Sequence, residues 1–110
     1  ILGGVVNNTP ELFLTDPSGT YISYDAIAIG SGSDSVTDFL EKTYKDDLTL
    51  DEASVLASAG IYLSSDDKEA TNHIRMAHIK TGDGLYELVS NEQIVSYANT
   101  AKEKYPHDKN

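Results

Sequence analysis

The sequence lacks residues on which whole classes of chemistry depend. None of the 110 residues is cysteine, which excludes disulfides, thiolate nucleophiles and zinc sites built on cysteine. No apolar run approaches the roughly 20 residues that a membrane-spanning helix needs. No secretory signal is recognisable at the start of the chain. From these absences we expect a cytoplasmic protein.

Positive charge is also scarce. Acidic residues outnumber basic ones 18 to 8, which gives a formal net charge of -10, and Arg75 is the single arginine. Such a surface repels phosphate and argues against nucleic acid and anionic membranes as partners. The simpler explanation of the same balance is that it keeps the protein soluble. Hydrophobic residues make up 39% and charged residues 24%, which is typical of one folded globular domain.

The first third of the chain carries strand patterns separated by turn signals. Residues 1–6 and 11–15 are rich in apolar side chains and predict two strands. Asp16-Pro17-Ser18-Gly19 predicts a type I turn, with the Asp16 side chain as the acceptor within the turn. Residues 20–29 resume as a strand, so we expect an antiparallel hairpin, whose register the sequence leaves open.

Two helices follow this predicted hairpin. Ser33 after the Gly30-Ser31-Gly32 break predicts the N-cap of the first helix. One of its faces is apolar, with Val36, Phe39, Leu40 and Tyr44. Thr49 and Glu52 predict a capping box at the start of the second helix. The apolar face of that helix consists of Ala53, Leu56, Ala57, Gly60 and Ile61, and the glycine predicts close approach of another backbone.

The last third of the chain again carries strand patterns followed by a helix pattern. Residues 64–72 predict an acidic loop. Residues 73–80 predict a strand with apolar side chains on both faces, as in a layered structure, and residues 85–89 predict its hairpin partner. Ser90 and Gln93 predict a second capping box. The helix that it opens places Ile94, Tyr97, Ala98 and Ala101 on one side. We expect an α+β fold with antiparallel sheet packed on helices, one domain over residues 1–105 and a frayed tail at 106–110.

The candidate site residues have simpler structural explanations. Ser31, Ser33 and Ser35 with His73 or His78 suggest a serine nucleophile, but the helix start explains the serines and no G-x-S-x-G motif is present. His73 and His78, five apart on a predicted strand, face opposite sides and cannot chelate one ion.

Other polar groups are equally weak candidates. His107 lies in the tail. Asp46-Asp47 and Asp66-Asp67 lack the spacing of a calcium loop and are interpreted as solvated turns. The seven tyrosines are scattered and are explained by packing. We therefore predict no catalytic, cofactor-binding or metal-binding residue, and no cofactor.

Four stretches together resemble the second half of a proteasome α-type subunit, of the archaeal kind, in the N-terminal-nucleophile hydrolase superfamily. They are LFLTDPSGTY at 12–21, AIAIGSGS at 26–33, FLEKTYKDDLTLDEA at 39–53 and the segment 85–98. The resemblance extends over about residues 1 to 104. It implies half of a four-layer αββα sandwich, whose other half lies upstream in such subunits.

The resemblance also implies a role. α-type subunits form the seven-membered outer rings of the 20S proteasome core, contact other α-type and β-type subunits, dock an ATPase regulator and control substrate access without cutting peptide bonds. The alternative is a fragment of a β-type threonine peptidase subunit. The loop before His73 lacks the Asp-x-x-Ser-Gly pattern of such subunits, and the chain ends in a helix as α-type subunits do. A third possibility is a free-standing interaction domain. Because half of the sandwich is missing, we expect that this chain alone self-associates through its exposed strand edges or is a fragment of a longer polypeptide.

Overall fold

The computed structural model describes residues 1–65 and 73–105. The elements are β1 (Leu2–Val6), β2 (Thr9–Thr15), β3 (Tyr21–Ser23), α1 (Ser33–Thr43), α2 (Leu50–Ser64), β4 (Ala77–Ile79), β5 (Tyr86–Leu88) and α3 (Asn91–Lys104). The chain is therefore α+β with antiparallel sheets and three helices in the described part, as expected. The predictions for Asp66, Asp67, His107, most of the 64–72 loop and the 106–110 tail lie outside the described residues.

The first sheet has the order β1-β2-β3, and both pairings are antiparallel. Asn7 and Asn8 join β1 to β2 with φ angles of 52 and 64 degrees, the conformation that a tight two-residue hairpin turn requires. The predicted Asp16–Gly19 turn joins β2 to β3. Its closing bond runs from the Gly19 N–H to the Asp16 carbonyl at 3.0 Å. The Asp16 carboxylate accepts from the Ser18 N–H at 2.9 Å, which confirms its predicted role as an acceptor.

The strand predicted over residues 20–29 is shorter than expected. β3 ends at Ser23, and the Tyr24 N–H makes one more sheet bond, to the Leu12 carbonyl at 2.9 Å. The chain then bends, and residues 25–29 pair with no strand among residues 1–65 and 73–105. A strand exists only as part of a ladder, so apolar composition alone could not extend β3.

The N-cap of α1 is Gly32, not Ser33 as predicted. Gly32 has φ 80 degrees, a left-handed conformation that favours glycine, and makes no side-chain cap bond. Ser33 is instead the first residue of the helix. Val36, Phe39, Leu40 and Tyr44 are half-buried, so the predicted apolar face of α1 does turn inward.

The capping box of α2 is confirmed. The Thr49 hydroxyl accepts from the Glu52 N–H at 3.1 Å, and the Glu52 carboxylate accepts from the Thr49 N–H at 3.0 Å. The buried face of α2 differs from the prediction. Leu56 and Gly60 are buried, but Ala53, Ala57 and Ile61 are exposed. The residues that complete the buried face are Ser54, Val55, Ser58 and Ala59.

A pattern of apolar residues does not identify this buried face of α2, because the face contains Ser54 and Ser58. The Ser54 hydroxyl donates to the Leu50 carbonyl at 2.8 Å, and the Ser58 hydroxyl donates to the Ser54 carbonyl at 2.9 Å. A hydroxyl that is bonded four residues back along its own helix can be buried without an unmet hydrogen bond. Small serines also allow the close contact between α2 and α3.

The core lies between α2 and α3. It is built on Val55, Ala59, Tyr97 and Ala101, with Phe39, Met76, Val89 and Tyr105 packed against it. The four residues predicted to share one side of α3 are all buried, namely Ile94, Tyr97, Ala98 and Ala101. Only half of the predicted Ser90–Gln93 capping box forms in the described residues. The Ser90 hydroxyl accepts from the Gln93 N–H, but the Gln93 amide donates to the Tyr97 hydroxyl at 3.0 Å.

The second sheet is the hairpin β4–β5, which confirms the predicted antiparallel pairing. The strand predicted over 73–80 covers only Ala77–Ile79, so His73 lies outside it. Ala77 and all three residues of β5 are exposed, so this hairpin is not covered on both faces as expected. Among residues 1–65 and 73–105, no helix is long and apolar enough to cross a membrane.

Candidate interaction surface

An apolar groove of about 620 Å³ lies between the first sheet, the segment 25–29 and helices α1 and α2. We call this the apolar groove. Its apolar lining residues are Ile1, Leu12, Ala26, Ile27, Ala28, Ile29, Val36, Leu40, Tyr44, Leu48, Ala53, Leu56, Ala57, Gly60 and Ile61. The whole predicted apolar face of α2 therefore points into it.

Large side chains of the apolar groove are open to solvent. Ile29 is 60% exposed and Ile61 is 43% exposed. A contiguous apolar surface of this kind marks a site of contact with another segment or protein. The sequence pattern identified the α2 face correctly as apolar, but the described part of the chain does not supply what would cover it.

A second cavity of about 460 Å³ adjoins the apolar groove and shares residues 25–28 of its lining. We call it the acidic cavity, because its charged residues are Asp25, Asp34 and Glu41. Its lining, all within the described residues, includes no lysine or arginine. The pKa of Tyr44, which also lines it, is raised by burial and by the negative charges of Asp25 and Asp46.

A third cavity, of about 370 Å³, is polar and lies where the N-terminal ends of α2 and α3 meet the β4–β5 hairpin. At this place His78 Nε2 lies 2.7 Å from the Ser54 hydroxyl oxygen. The Tyr97 hydroxyl donates to the Asp51 carboxylate, also at 2.7 Å. Sequence reasoning did not find the Ser54–His78 and Asp51–Tyr97 pairs, because they join residues 24 and 46 positions apart.

The Ser54 hydroxyl lies within hydrogen-bond distance of both the Leu50 carbonyl and His78 Nε2. A serine hydroxyl has one proton, and that of Ser54 is donated to the Leu50 carbonyl. In the tautomer that carries its proton on Nε2, the His78 imidazole donates to the Ser54 oxygen. Ser54 is also buried. The pair links α2 to β4.

The Asp51–Tyr97 bond affects the acidity of the phenol. The Asp51 carboxylate raises the pKa of Tyr97, because the hydrogen bond holds the phenol proton, and burial raises it further. Tyr97 therefore stays neutral and acts as a donor that joins α3 to the first turn of α2.

The structure separates the candidate residues that the sequence suggested. Ser31 and Ser33 line the apolar groove, whereas His78 lines the polar cavity. The argument that His73 and His78 alternate along a strand does not hold, since His73 precedes β4. Asp46 and Asp47 are exposed in the loop after α1. In the described residues, no three His, Asp or Glu side chains are arranged to hold a metal ion.

Comparison with known proteins gives a consistent result. The family model described as "Proteasome subunit" matches residues 1–79. Proteasome subunit alpha of Archaeoglobus fulgidus is 38% identical over 99 residues, which cover 90% of this chain and 40% of that protein. The Methanobrevibacter smithii protein of the same name is 40% identical over 97 residues, covering 88% of the chain and 39% of the relative.

A third relative, Proteasome subunit alpha of Saccharolobus solfataricus, is 37% identical over 94 residues, covering 84% of this chain and 39% of its own length. The chain thus spans about two fifths of the length of the curated relatives that it matches.

Proposed function

Because this chain belongs to the proteasome subunit family, we propose that it supplies the C-terminal half of a non-catalytic α-type subunit of the 20S proteasome core. The observation that carries the proposal is the 35–40% identity to proteins named Proteasome subunit alpha over 84–90% of the chain. A β-type threonine peptidase fragment is not favoured, because these relatives are named as α-type subunits.

In this role, the chain contributes the wall of the outer ring, which controls substrate access to a proteolytic chamber. Its partners are other α-type subunits in a seven-membered ring, the β-type subunits and an ATPase regulator of the complete protein. It performs no peptide hydrolysis itself, needs no cofactor and acts in the cytoplasm.

We further propose that residues 1–105 form half of a four-layer αββα sandwich. The apolar groove supports this, because sandwich layers bury their sheet and helix faces against neighbouring layers. The unpaired apolar segment 25–29 supports it too, since a strand from another layer or sheet edge would complete its hydrogen bonds.

The test is a chimera of the Archaeoglobus fulgidus subunit in which this chain replaces the 99 matched residues. We expect the purified chimera to form rings of the same mass as the unmodified subunit, measured by native mass spectrometry and electron microscopy. The ring should not cleave fluorogenic peptides. A chimera with Ala101→Asp, which places a charge in the fully buried helix interface, serves as the assembly-deficient control.

A folded chimera that remains monomeric while the unmodified subunit forms rings would contradict the proposal. Peptide cleavage by the chimera, abolished by a threonine peptidase inhibitor, would instead favour the β-type alternative.

A further inference from the structure

We propose that Asp83, in the turn between β4 and β5, is a modification site at which aspartate converts spontaneously to isoaspartate, and that closure of the β4–β5 hairpin controls the rate of this reaction. The proposal concerns the chemistry of this turn and does not depend on the assignment of the chain as a proteasome subunit.

The reaction needs only the chain and water. The Gly84 backbone nitrogen attacks Cγ of the protonated Asp83 carboxyl group and loses its proton, which leaves with the carboxyl hydroxyl group as water. The product is a five-membered succinimide ring. Water then adds to the former main-chain carbonyl of Asp83 and opens the ring there, so that the main chain runs through the former side chain. One water is lost and one is gained, and nothing is oxidised or reduced.

The sequence contains one pair of residues suited to this reaction. Asp83-Gly84 is the one place in the chain where Asp or Asn precedes Gly. Glycine has no Cβ to obstruct the approach of its nitrogen to the neighbouring carboxyl group. Both residues are exposed, so water reaches the turn for the second step.

Two hydrogen bonds restrain the reaction while the turn is closed. The Gly84 N–H donates to the Lys80 carbonyl at 2.8 Å, so the attacking nitrogen keeps its proton. The Asp83 carboxylate accepts from the Leu85 N–H at 2.9 Å, which holds the carboxylate at that group. Both bonds have to break before the ring forms, because the nitrogen gives up its proton and the carboxyl group turns to that nitrogen. The closed turn is therefore protected and the open turn is reactive.

The hairpin that closes this turn is a small unit. β4 and β5 have three residues each and form a two-stranded sheet, and all three residues of β5 are exposed. A two-stranded hairpin is at best marginally stable by itself. Units with little buried surface open locally at a lower free energy than the core. We therefore expect Asp83 to react in the native chain through local opening, without global unfolding.

Isomerisation changes the turn that it occurs in. Isoaspartate adds one methylene group to the main chain and converts the former main-chain carbonyl into a new carboxylate. The hydrogen bond between Gly84 and Lys80 loses its geometry when the main chain between them lengthens. The turn also lies beside the first sheet, since a Cβ built on Gly84 would be 3.9 Å from Cβ of Val5. The modification therefore loosens the hairpin next to β1.

The experiment incubates the chain at neutral pH in water enriched in heavy oxygen and then digests it in ordinary water. Chromatography separates isoaspartyl from aspartyl peptides, and tandem mass spectrometry locates the label, because ring opening places one heavy oxygen atom in the product. Asp34-Ser35 is the internal comparison. Asp34 is also exposed and precedes a small residue, but it lies in the first turn of α1, where the helix fixes the backbone.

Glu87→Pro is the variant that opens the hairpin. The Val89 N–H donates to the Met76 carbonyl at 3.0 Å, and the N–H of Glu87, two residues earlier on the strand, points to the same side, towards β4. Proline removes that donor. Asn91→Pro is the matched control, because proline suits the first position of α3 and the preceding Ser90 has an extended backbone.

We expect isoaspartate with one heavy oxygen atom at Asp83 and no label at Asp34 in the same incubation. Glu87→Pro should raise the rate at Asp83 by about ten-fold or more, while Asn91→Pro changes it by less than about two-fold. Urea below the unfolding midpoint should also raise the rate in the unchanged chain, which tests the control by the hairpin without any substitution.

Absence of label at Asp83 in the folded chain would overturn the modification site. Similar labelling of Asp83 and Asp34 would overturn it too, because the turn would then confer no selectivity. Equal rates in Glu87→Pro and the unchanged chain, or a rate that does not rise with urea, would overturn the control by the hairpin. Ring formation by the chimera is a separate measurement and is unaffected by any of these results.

Discussion

Two exposed carboxylates stabilise local structure by accepting backbone hydrogen bonds. Hydrogen bonds to Ser18 and Thr20 lower the pKa of Asp16 in the β2–β3 turn. Hydrogen bonds to Thr49, first from its N–H, lower the pKa of Glu52 in the α2 capping box. In both cases the bonds favour the ionised carboxylate. Each group therefore stabilises the fold above its unfolded-state pKa, and this stabilisation is lost as the pH falls through the lower folded-state value.

The first prediction concerns Glu52→Ala. Near pH 7 we expect a lower urea midpoint than for the unchanged chain, because the Thr49 N–H loses its acceptor. The gap should narrow as the pH falls below the unfolded-state pKa of Glu52, and it should close as the pH falls through the lower folded-state pKa, because the carboxylate is then protonated in both states. Urea unfolding followed by circular dichroism at several pH values measures this.

Asp38→Ala, at an exposed position inside α1, is the matched control. A midpoint difference for Glu52→Ala that stays constant from neutral to acid pH would contradict the linkage between the cap and the charge of Glu52.

At the scale of elements, the contact between α1 and α2 depends on a glycine. A Cβ atom built on Gly60 would lie 3.0 Å from Val36 Cγ1. The sequence predicted a close approach at this position. The structure shows that the neighbour is a side chain of α1 and not a backbone. Val36 is β-branched and has little rotamer freedom in a helix, so it cannot move aside easily.

The second prediction is a double-mutant cycle of Gly60→Ala and Val36→Ala. When Val36 is present, Gly60→Ala should stabilise the fold by about 1 kcal/mol through helix propensity. It should also destabilise the fold by about 1–3 kcal/mol, because the new methyl group overpacks the contact with Val36. With Val36→Ala the clash is removed, so Gly60→Ala should be more favourable there by at least about 1 kcal/mol.

Gly82→Ala is the control for this cycle, because a Cβ on Gly82 has nothing within 4 Å. Urea unfolding of the four variants gives the coupling free energy. A coupling near zero would show that α1 shifts to accommodate the methyl group.

The whole molecule buries one side of α2 and leaves the other open. The α2–α3 interface is closed by Val55, Ala59, Tyr97 and Ala101. The opposite side, facing the apolar groove, keeps Ala53, Ala57 and Ile61 exposed. Apolar surface that stays in contact with water drives association, whereas the net charge of -10 opposes it between identical chains.

The third prediction is that the isolated chain self-associates weakly, and more strongly as salt screens its charge. Ile61→Lys should reduce this association and the binding of a hydrophobic dye, measured by analytical ultracentrifugation and fluorescence. Val95→Lys is the matched control, because Val95 of α3 is 52% exposed and lies outside the apolar groove. A monomer at all concentrations and salt levels, without dye binding, would contradict the prediction.

Much of the local structure followed from the sequence alone. The Asp16–Gly19 turn and the Thr49–Glu52 capping box depend on contacts between residues at most four apart, and the structure has them as predicted. The resemblance to proteasome α-type subunits likewise depended on short stretches of sequence. These features are determined by backbone preferences and by hydrogen bonds between near neighbours.

The tertiary structure decided what depends on partners distant along the chain. Residues 25–29 have strand composition, but no strand in the described part lies beside them to bond with. Ser54 and His78 meet only because α2 packs near β4. The apolar face of α2 was readable from its spacing, but whether that face is covered depends on which segments fold against it. Burial is a property of the assembled surfaces, so spacing along one helix cannot fix it.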